Sequence, residues 1–379
     1  MVAQPHRHFM SSFGGRVTHL VSGDLWGGAE ALVLALARQQ QRVRPGSVSC
    51  VVMNPGELAS RLSRSGIPTR VLDEGRQSVG ALLREVIGEV RRLSPQVLHA
   101  HRRKENLLAT LTSLRLRGLS GHRRPRCLTT MHGMPEPYPA ASGLRRAAVE
   151  CANFLTLRFG LHAIVAVSQD MARALRPRYG RRVVTIHNGI EIPEPPAATP
   201  DSRAAPGLRL VALGRLVTVK RFERLGGLSE FLTAQLPWPH EIVLAGEGPL
   251  AETLREVLRP GGPGARISMP GFVADTRALL GQADALVMTS DHEGIPMAAL
   301  EALALGVPVF AFGVGGLPEI AASGVPLRLA PPGNVSALAA EIVTFFKQNP
   351  PGIRLAPPQD WSFDIRQCAR AYEALYGSL

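Results

Sequence analysis

Residues 285–306 read ALVMTSDHEGIPMAALEALALG. The apolar run at 285–288 predicts a buried strand, and Pro296 suits the first turn of a helix that ends at Gly306. The first turn of a helix leaves backbone N–H groups unpaired at the positive end of the helix dipole, where phosphate oxygens bind. We therefore expect an anion site at residues 293–298, with the Glu293 carboxylate beside it.

Glu301 lies inside this predicted helix, which is otherwise apolar on every face and is therefore expected to be buried. A buried carboxylate needs hydrogen-bond donors or a shifted pKa. A ribose diol held behind a diphosphate would supply two donors. A buried arginine or a backbone N–H group would satisfy the carboxylate in a purely structural role.

Glu293 and Glu301, separated by seven residues, resemble the E-x7-E signature of retaining glycosyltransferases of the GT-B fold, family 4. The resemblance implies that Glu293 contacts the hydroxyl groups of the donor sugar and that Glu301 contacts the ribose of the nucleotide. It also assigns donor binding to the residues that follow the first glutamate: Gly294, Ile295, Pro296 and Met297.

The composition bounds the protein class. A chain of 379 residues with 45% hydrophobic content is long enough for two domains with cores of their own. We identify no targeting signal and no apolar run that could span a membrane, and we expect a cytoplasmic protein. The scattered cysteines predict neither a disulfide framework nor a zinc site. They are Cys50, Cys127, Cys151 and Cys368.

Positive charge is concentrated in the first half of the chain. Residues 1–190 hold 28 Lys and Arg against 11 Asp and Glu, whereas residues 191–379 hold 15 against 19. A solvated basic face would account for this excess, and so would an anionic partner such as a membrane surface or a lipid phosphate. A nucleic-acid partner would explain the charge as well, but it would not explain a carboxylate inside an apolar helix, and we expect no nucleic acid partner.

Strand and helix patterns alternate along both halves, which predicts doubly wound parallel sheets of the α/β class. The resemblance implies a GT-B fold, in which two Rossmann-like domains face each other across a cleft. We divide the chain into an acceptor domain at 1–190, a Pro-rich linker at 191–207, a nucleotide-sugar domain at 208–358, and a segment at 359–379 whose helix crosses back to the first domain.

Ligands on parallel sheets bind at the carboxyl ends of the strands, and in the first half two features lie there. Gly27 and Gly28 open a helix in a segment that resembles the family loop beneath the donor phosphates. His132 follows a predicted strand and resembles the family histidine near the donor sugar. A zinc site at His99 and His101 has no third ligand at motif spacing.

The second half carries two cations in a loop that follows a strand. Arg215 and Lys220 resemble the family pair that neutralises the diphosphate leaving group, whose charge grows as the glycosidic bond breaks. A solvated surface loop is the alternative. The resemblance adds the glycines of two loops and the end of a further strand to the donor site: Gly214, Gly246, Gly248, Phe272 and Val273.

No Asp-x-Asp pair occurs in the chain, so we expect a metal-independent reaction with no cofactor, in which the nucleotide-sugar is a substrate. The predicted function is retaining transfer from a nucleotide-sugar, most simply a UDP-sugar, to a hydroxyl of a glycan, a lipid-linked sugar or another acceptor. A nucleotide-sugar epimerase or a phosphorylase of the same fold is the alternative, because fold does not fix the reaction. A basic nucleic-acid-binding protein is a further alternative from another class.

Overall fold

The computed structural model describes residues 13–24, 26–117, 124–133, 143–193 and 207–379, apart from the side chains of Leu144 and Arg145. The chain divides into two compact units. Unit 1 comprises Met1–Val167, Ala172–Gly189 and Ile365–Leu379, and unit 2 comprises Ser168–Met171 and Ile190–Asp364. Residues 1–12 and most of the predicted linker, at 194–206, lie outside the described residues.

Unit 1 contains a seven-stranded parallel sheet with the order β3-β2-β1-β4-β5-β6-β7. Its strands are β1 (Val17–Val21), β2 (Val48–Val52), β3 (Thr69–Val71), β4 (Val97–Ala100), β5 (Arg126–Met131), β6 (Ala163–Ala166) and β7 (Val183–Thr185). Its helices are α1 (Gly28–Val43), α2 (Glu57–Arg64), α3 (Val79–Leu93), α4 (Arg103–Arg115), α5 (Gly143–Leu155) and α6 (Gln169–Tyr179). The final helix of the chain, which we number α13 (Ile365–Ser378), belongs to this unit as well.

Unit 2 contains a six-stranded parallel sheet with the order β10-β9-β8-β11-β12-β13. Its strands are β8 (Leu208–Leu213), β9 (His240–Ala245), β10 (Ala265–Gly271), β11 (Ala285–Met288), β12 (Val309–Phe312) and β13 (Leu327–Ala330). Its helices are α7 (Arg224–Gln235), α8 (Ala251–Val257), α9 (Thr276–Gly281), α10 (Met297–Ala304), α11 (Leu317–Ala321) and α12 (Val335–Gln348).

The central strands are buried along their whole length, because apolar side chains on both faces of each sheet are covered by helices. The strand order of each sheet reverses direction once, between β1 and β4 in unit 1 and between β8 and β11 in unit 2. Such a reversal opens a crevice at the carboxyl ends of the strands, which is where this fold class binds ligands. The predicted α/β class with two Rossmann-like parallel sheets is confirmed.

Several element boundaries differ from those that the sequence pattern predicts. The helix expected from Asn106 begins at Arg103, so the basic segment after β4 is helical and Glu105 lies in the favourable first turn. The helix expected to run to Phe159 ends at Leu155 and continues as a π-helical turn, Thr156–Gly160. The strand expected at 267–273 is β10, which ends at Gly271. All four cysteines are free thiols.

Candidate active site

The helix α10 begins directly after Pro296, as its sequence predicts. Within the described ranges, the backbone N–H groups of Gly294, Met297 and Ala298 donate to no acceptor. The other end of the helix is closed, because Gly306 (φ +74°) donates to the carbonyl of Leu303 at 2.9 Å and the next residue donates to Ala302 at 2.9 Å. An open N-terminus with three available N–H groups is a site for an anion.

Glu293 is the most constrained group of the loop that enters α10, and only 7% of its surface is exposed. Its Oε1 atom accepts a hydrogen bond from the Ser290 hydroxyl at 2.6 Å and another from the Lys220 ammonium at 2.7 Å. Among the described residues, its second oxygen, Oε2, has no hydrogen-bond partner. The carboxylate is therefore held at one oxygen and available at the other. Ser290 was not singled out from the sequence, although it lies only three residues away.

The loop that carries Glu293 is held by the segment after β12. Gly315 adopts a positive φ of +56°, and a Cβ atom there would lie 1.8 Å from the Glu293 carbonyl oxygen. Gly316 donates its N–H group to the carbonyls of Glu293 and Gly294 at 3.2 and 3.0 Å. Only glycine permits this approach, so the Gly-Gly pair fixes the backbone from which the Glu293 side chain projects.

The buried position predicted for Glu301 is wrong, because this side chain is half-buried. Glu301 and Ala298 are one turn apart, and together they form a narrow exposed stripe on a helix whose other described residues are buried. The Glu301 carboxylate accepts a hydrogen bond from the Thr276 hydroxyl at 3.1 Å. It is therefore reachable from solvent beside the open end of α10.

Lys220 reaches Glu293 because the loops after β8 and β11 are joined. Asp291 donates its backbone N–H to the Val219 carbonyl at 2.9 Å, and the Thr289 hydroxyl donates to the Lys220 carbonyl at 3.0 Å. Arg224 also bridges the two loops, since its guanidinium donates to the Thr289 carbonyl at 2.8 Å and pairs with Asp291 at 2.6 Å. The sequence did not reveal this bracing role of Arg224 and Asp291.

Arg215, the second predicted cation, is exposed, and its side chain has no hydrogen-bond or ion-pair partner in the part of the chain that the structure describes. The loop that carries it packs closely against the loop after β9. A Cβ atom at Gly246 would lie 1.9 Å from the Gly214 carbonyl oxygen, and one at Gly248 would lie 2.5 Å from the Leu216 carbonyl oxygen. Close backbone packing therefore requires both glycines, independently of any ligand.

Phe272 and Val273 follow β10 instead of ending it, because the strand terminates at Gly271 with a positive φ of +81°. Phe272 is 45% exposed. An exposed aromatic ring beside the carboxyl end of a strand offers a stacking surface, and its predicted role at the nucleobase stays a prediction.

In unit 1, Gly27 is the N-cap of α1 and Gly28 is its first residue. No side chain caps this helix, and Glu30 in its first turn is buried and paired with the Arg102 guanidinium. The predicted contact of the two glycines with donor phosphates stays a prediction.

His132 directly follows β5 and is half-buried. Its Nε2 atom lies 3.1 Å from His101 Nδ1, and His101 Nε2 lies 3.0 Å from His19 Nδ1. His19 in turn bonds to the Gln40 amide oxygen at 2.9 Å. Burial lowers the pKa of His132 to about 3, with the charge of Arg102 as a second cause. This imidazole is therefore neutral at physiological pH, and its predicted place near the donor sugar stays a prediction.

A third histidine joins His99 and His101, although the sequence spacing showed none. The three candidate ligand atoms of His19, His99 and His101 lie within 4.8 Å of one another. His19 is the parallel-register partner of His99 in the neighbouring strand, so the two rings lie on one sheet face. Every ring nitrogen of the three already has a protein partner, at 2.7–3.1 Å, and the arrangement is that of a hydrogen-bonded network.

The helix α5 exposes apolar side chains. Leu155 is 47% exposed, and Phe159 in the π-helical turn that follows is 68% exposed. Ala148 and Ala152 are exposed at the same three- and four-residue spacing, so these side chains form one stripe. Of the helices in the described ranges, none is both long enough and apolar enough to cross a bilayer.

Two family models match the chain. The model described as Glycosyltransferase Family 4 matches residues 26–193, and the model described as Glycosyl transferases group 1 matches residues 207–348. The first model thus covers most of the first half, and the second covers the segment that contains Lys220, Glu293 and Glu301.

The chain is 27% identical to the 2-deoxystreptamine N-acetyl-D-glucosaminyltransferase of Streptomyces fradiae, over 88% of this chain and 87% of that protein. It is 31% identical to the amylovoran biosynthesis glycosyltransferase of Erwinia amylovora, over 33% of this chain and 34% of that protein. Among solved structures, Anabaena HepE in complex with UDP-glucose is similar in fold, with a TM-score of 0.68 and 19% identity over 96% of this chain and 95% of that one.

Proposed function

Because this chain belongs to the group 1 glycosyltransferases of family 4, we propose that it transfers a sugar from a UDP-sugar to an acceptor hydroxyl with retention of configuration. The observation that carries this proposal is the contact of 2.7 Å between Lys220 Nζ and Glu293 Oε1 beside the open N-terminus of α10. One loop cluster then holds a cation for the leaving group and a carboxylate for the sugar.

The proposed reaction exchanges one bond at the anomeric carbon for another. The bond from C1 to the diphosphate oxygen breaks, and a bond from C1 to the acceptor oxygen forms on the same face of the sugar. The leaving diphosphate takes the proton of the acceptor hydroxyl, because both lie on that face. The products are the glycosylated acceptor and UDP.

The N–H groups of Gly294, Met297 and Ala298 would bind the diphosphate oxygens, and the Lys220 ammonium would lie close to the same anion. The exposed guanidinium of Arg215 is the second counter-charge. Such fixed donors stabilise the transition state because negative charge accumulates on the diphosphate as the C1–O bond lengthens. With these groups in place, we propose that catalysis needs no divalent metal.

The Oε2 atom of Glu293 would accept hydrogen bonds from hydroxyl groups of the donor sugar, since Oε1 is already held by Ser290 and Lys220. Glu301, positioned by the Thr276 hydroxyl, would accept from the ribose. Phe272 and Val273 would lie against the base. The solved complex of Anabaena HepE with UDP-glucose supports UDP as the nucleotide.

For the acceptor, we propose a lipid-linked or otherwise membrane-presented sugar reached by peripheral binding of α5 to an anionic bilayer. The exposed stripe that ends at Leu155 and Phe159 supports an interfacial helix. The neighbouring helix α4 packs closely against the π-helical turn. A Cβ atom at Gly160 would lie only 2.5 Å from the side chain of Thr110. Basic side chains that are exposed at the end of α4 and the start of β5 supply the charge for anionic lipid: Arg115, Arg117, Arg124 and Arg126. Arg123, which is next to Arg124 in the sequence, lies outside the described residues.

Vesicle flotation tests this acceptor proposal. Binding to vesicles with anionic lipid should weaken from low to high salt, since each basic residue near such a surface contributes about 1 kcal/mol that salt screens. The Phe159→Ser variant should bind more weakly at every salt concentration, whereas the Phe231→Ser variant, with an exposed phenylalanine in unit 2, should bind like the wild type. Absence of binding at low salt, together with turnover of a soluble aminocyclitol acceptor, would contradict the membrane proposal and indicate a soluble acceptor.

A donor panel tests the transfer reaction itself. UDP-, GDP- and ADP-sugars are incubated with the protein and a mixture of acceptors, and released nucleotide and product are followed by NMR. We expect release of UDP and a product with the anomeric configuration of the donor. An inverted product would contradict retention, and interconversion of sugars without an acceptor would favour the epimerase.

A further inference from the structure

A second group of titratable side chains lies in the interior of unit 1. It consists of four histidines joined by hydrogen bonds to an amide, a threonine and two tyrosines, and we call it the histidine network. Its members are His19, Gln40, His99, His101, Thr130, His132, Tyr372 and Tyr376. A neutral imidazole has one N–H donor and one acceptor nitrogen, so each hydrogen bond in such a chain fixes the next tautomer.

The first branch runs from Gln40 to His132. The Gln40 amide nitrogen lies 3.4 Å from the Tyr376 hydroxyl, so the amide oxygen is the end that faces His19 Nε2 at 2.9 Å. An oxygen can only accept, and His19 therefore carries its proton on Nε2. His19 Nδ1 must then accept from His101 Nε2 at 3.0 Å.

The same logic extends one step further along this branch. Because His101 uses its N–H toward His19, its Nδ1 atom accepts from His132 Nε2 at 3.1 Å. His132 Nδ1 is left as an unprotonated acceptor. This end of the branch supports the direction independently, since His132 Nδ1 is buried and has no partner among the described residues. The opposite direction would bury an N–H donor there without an acceptor, which is the less favourable arrangement.

The second branch starts from the nitrogen of the same amide. Gln40 Nε2 donates to the Tyr376 oxygen, which leaves the Tyr376 hydroxyl proton for His99 Nδ1 at 2.8 Å. His99 then donates from Nε2 to the Thr130 oxygen at 2.7 Å, and Thr130 donates to the Tyr372 oxygen at 2.7 Å. All four histidines are thus Nε2–H tautomers, and one amide determines both branches.

We propose that Gln40 is a positioning residue that fixes the tautomer of His132 through His19 and His101, so that His132 Nδ1 accepts a hydrogen bond from a hydroxyl of the bound substrate. This proposal rests on the proposed glycosyl transfer for its ligand. The network cannot conduct protons to Gln40, because an amide does not take up a proton at these pH values. Burial is the main cause that lowers the pKa of all four imidazoles, and the charge of Arg102 lowers it further at His101 and His132.

Nitrogen NMR of protein labelled with 15N-histidine tests the tautomers directly, because protonated and unprotonated ring nitrogens differ widely in shift. At pH 7 we expect four Nε2–H imidazoles. In the Gln40→Glu variant the carboxylate accepts from both His19 and Tyr376, so His99 should switch to Nδ1–H while the other three keep their tautomers. In the Gln40→Met variant we expect a mixture of tautomers at His132.

Activity provides the second readout. Gln40→Met should lower kcat/KM about tenfold or more, and Gln40→Glu should restore most of it, because the acceptor for His19 returns. Tyr372→Phe is the matched control, since it removes only the last contact of the second branch, beyond Thr130, and should leave His132 and kcat/KM within twofold of the wild type. This pattern of rescue is not expected from a purely structural role.

An Nδ1–H tautomer at His132 in the wild type, or an unchanged His132 in Gln40→Met, would overturn the proposal. Stoichiometric Zn²⁺ retained by the purified protein, with shifted nitrogens at His19, His99 and His101, would overturn it as well. If the tautomers are as expected but no nucleotide-sugar is used, the proposed transfer fails and the fixed tautomers stand. If transfer occurs with Gln40→Met at the wild-type rate, the positioning role fails and the transfer stands.

Discussion

Lys220 and Glu293, 73 residues apart in the chain, form an ion pair in which Nζ lies 2.7 Å from Oε1. The pair joins the loop after β8 to the loop that enters α10, and Ser290 holds the same carboxylate oxygen. A group that would touch the sugar and a group that would touch the diphosphate are therefore connected directly. Loss of one should displace the other.

The two glutamates of the motif should fail differently when they are mutated. Glu301 is half-buried and would contact the ribose equally in the ground and transition states, so Glu301→Ala should chiefly raise the donor KM. Glu293 would contact the reacting sugar, and Glu293→Gln should chiefly lower kcat. Steady-state kinetics with the donor varied checks both, and Thr276→Val should resemble a milder Glu301→Ala. Equal changes in both parameters for both variants would contradict the assigned roles.

Lys220 should be essential for sugar transfer, whereas added divalent metal should not be required. Lys220→Ala removes a cation from the leaving group and from Glu293, so we expect a loss of roughly 2–4 kcal/mol of transition-state stabilisation, a hundredfold or more in rate. Lys347, an exposed lysine in α12, supplies the matched control, and Lys347→Ala should leave the rate unchanged. Activity should also survive EDTA. Loss of turnover on chelation that Mg²⁺ or Mn²⁺ restores would rule out the metal-free reaction.

The backbone position of Glu293 should depend on Gly315. An alanine Cβ at this position would lie 1.8 Å from the Glu293 carbonyl oxygen, so Gly315→Ala should displace the loop and abolish donor binding. Gly324 also has a positive φ, +78°, but has open space around it. Gly324→Ala should therefore cost about 1–2 kcal/mol of stability with unchanged donor affinity. Calorimetry of folding and of nucleotide binding separates the two effects, and wild-type affinity in Gly315→Ala would contradict this role.

The sequence allowed correct predictions where a structural feature depends on residues that are close together in the chain. The strand, loop and helix at 285–306 could be predicted, and so could the position of Glu293 at the entrance to the helix, because a helix N-terminus and its flanking residues are neighbours in the chain. The burial of Glu301 was predicted wrongly, since an apolar helix can still leave one stripe open beside a neighbouring helix. The bracing of Lys220 by Arg224 and Asp291 could not be predicted, because it joins two loops that only the strand order brings together.

The histidine network shows a further limit of sequence reasoning. His19 and His99 are 80 residues apart and meet because β1 and β4 are adjacent at the point where the strand order reverses. Gln40 and Tyr376 are 336 residues apart, in helices α1 and α13. A repeated histidine at inward positions of buried strands is a usable signal, but the sheet order is needed to interpret it.

The buried histidines should make the protein sensitive to mild acid. The folded pKa values of His19 and His132 are lowered to about 4 and about 3, chiefly by burial, and those of His99 and His101 are lowered as well. Below the unfolded value of about 6.5, the unfolded chain binds protons that the folded chain does not, so the free energy of unfolding falls as the pH falls. From pH 6.5 to 5, His19 and His132 should each lower the free energy of unfolding by about 1.5 kcal/mol.

Calorimetric unfolding at pH 7.5 and 5.5 measures this effect. Burial raises the pKa of the buried Glu105 and of the half-buried Glu373, and both act in the opposite direction. A comparison of variants therefore isolates the histidine contribution. His132→Gln keeps a donor toward His101 and removes one titrating group. Its stability should change with pH by about 1.4 kcal/mol per pH unit less than that of the wild type between pH 6 and 4. Identical slopes would show that His132 titrates normally in the folded protein.

Titration of UDP into the protein by isothermal calorimetry tests the central claim most directly, because it needs no acceptor. We expect one site that binds UDP more tightly than GDP or ADP, at least tenfold weaker binding in Lys220→Ala, and unchanged binding in Lys347→Ala. Saturation at about a hundred times the Kd should stabilise the fold by about 2.7 kcal/mol. Failure of every nucleoside diphosphate to bind, or binding that Lys220→Ala leaves intact, would contradict a donor site at the N-terminus of α10.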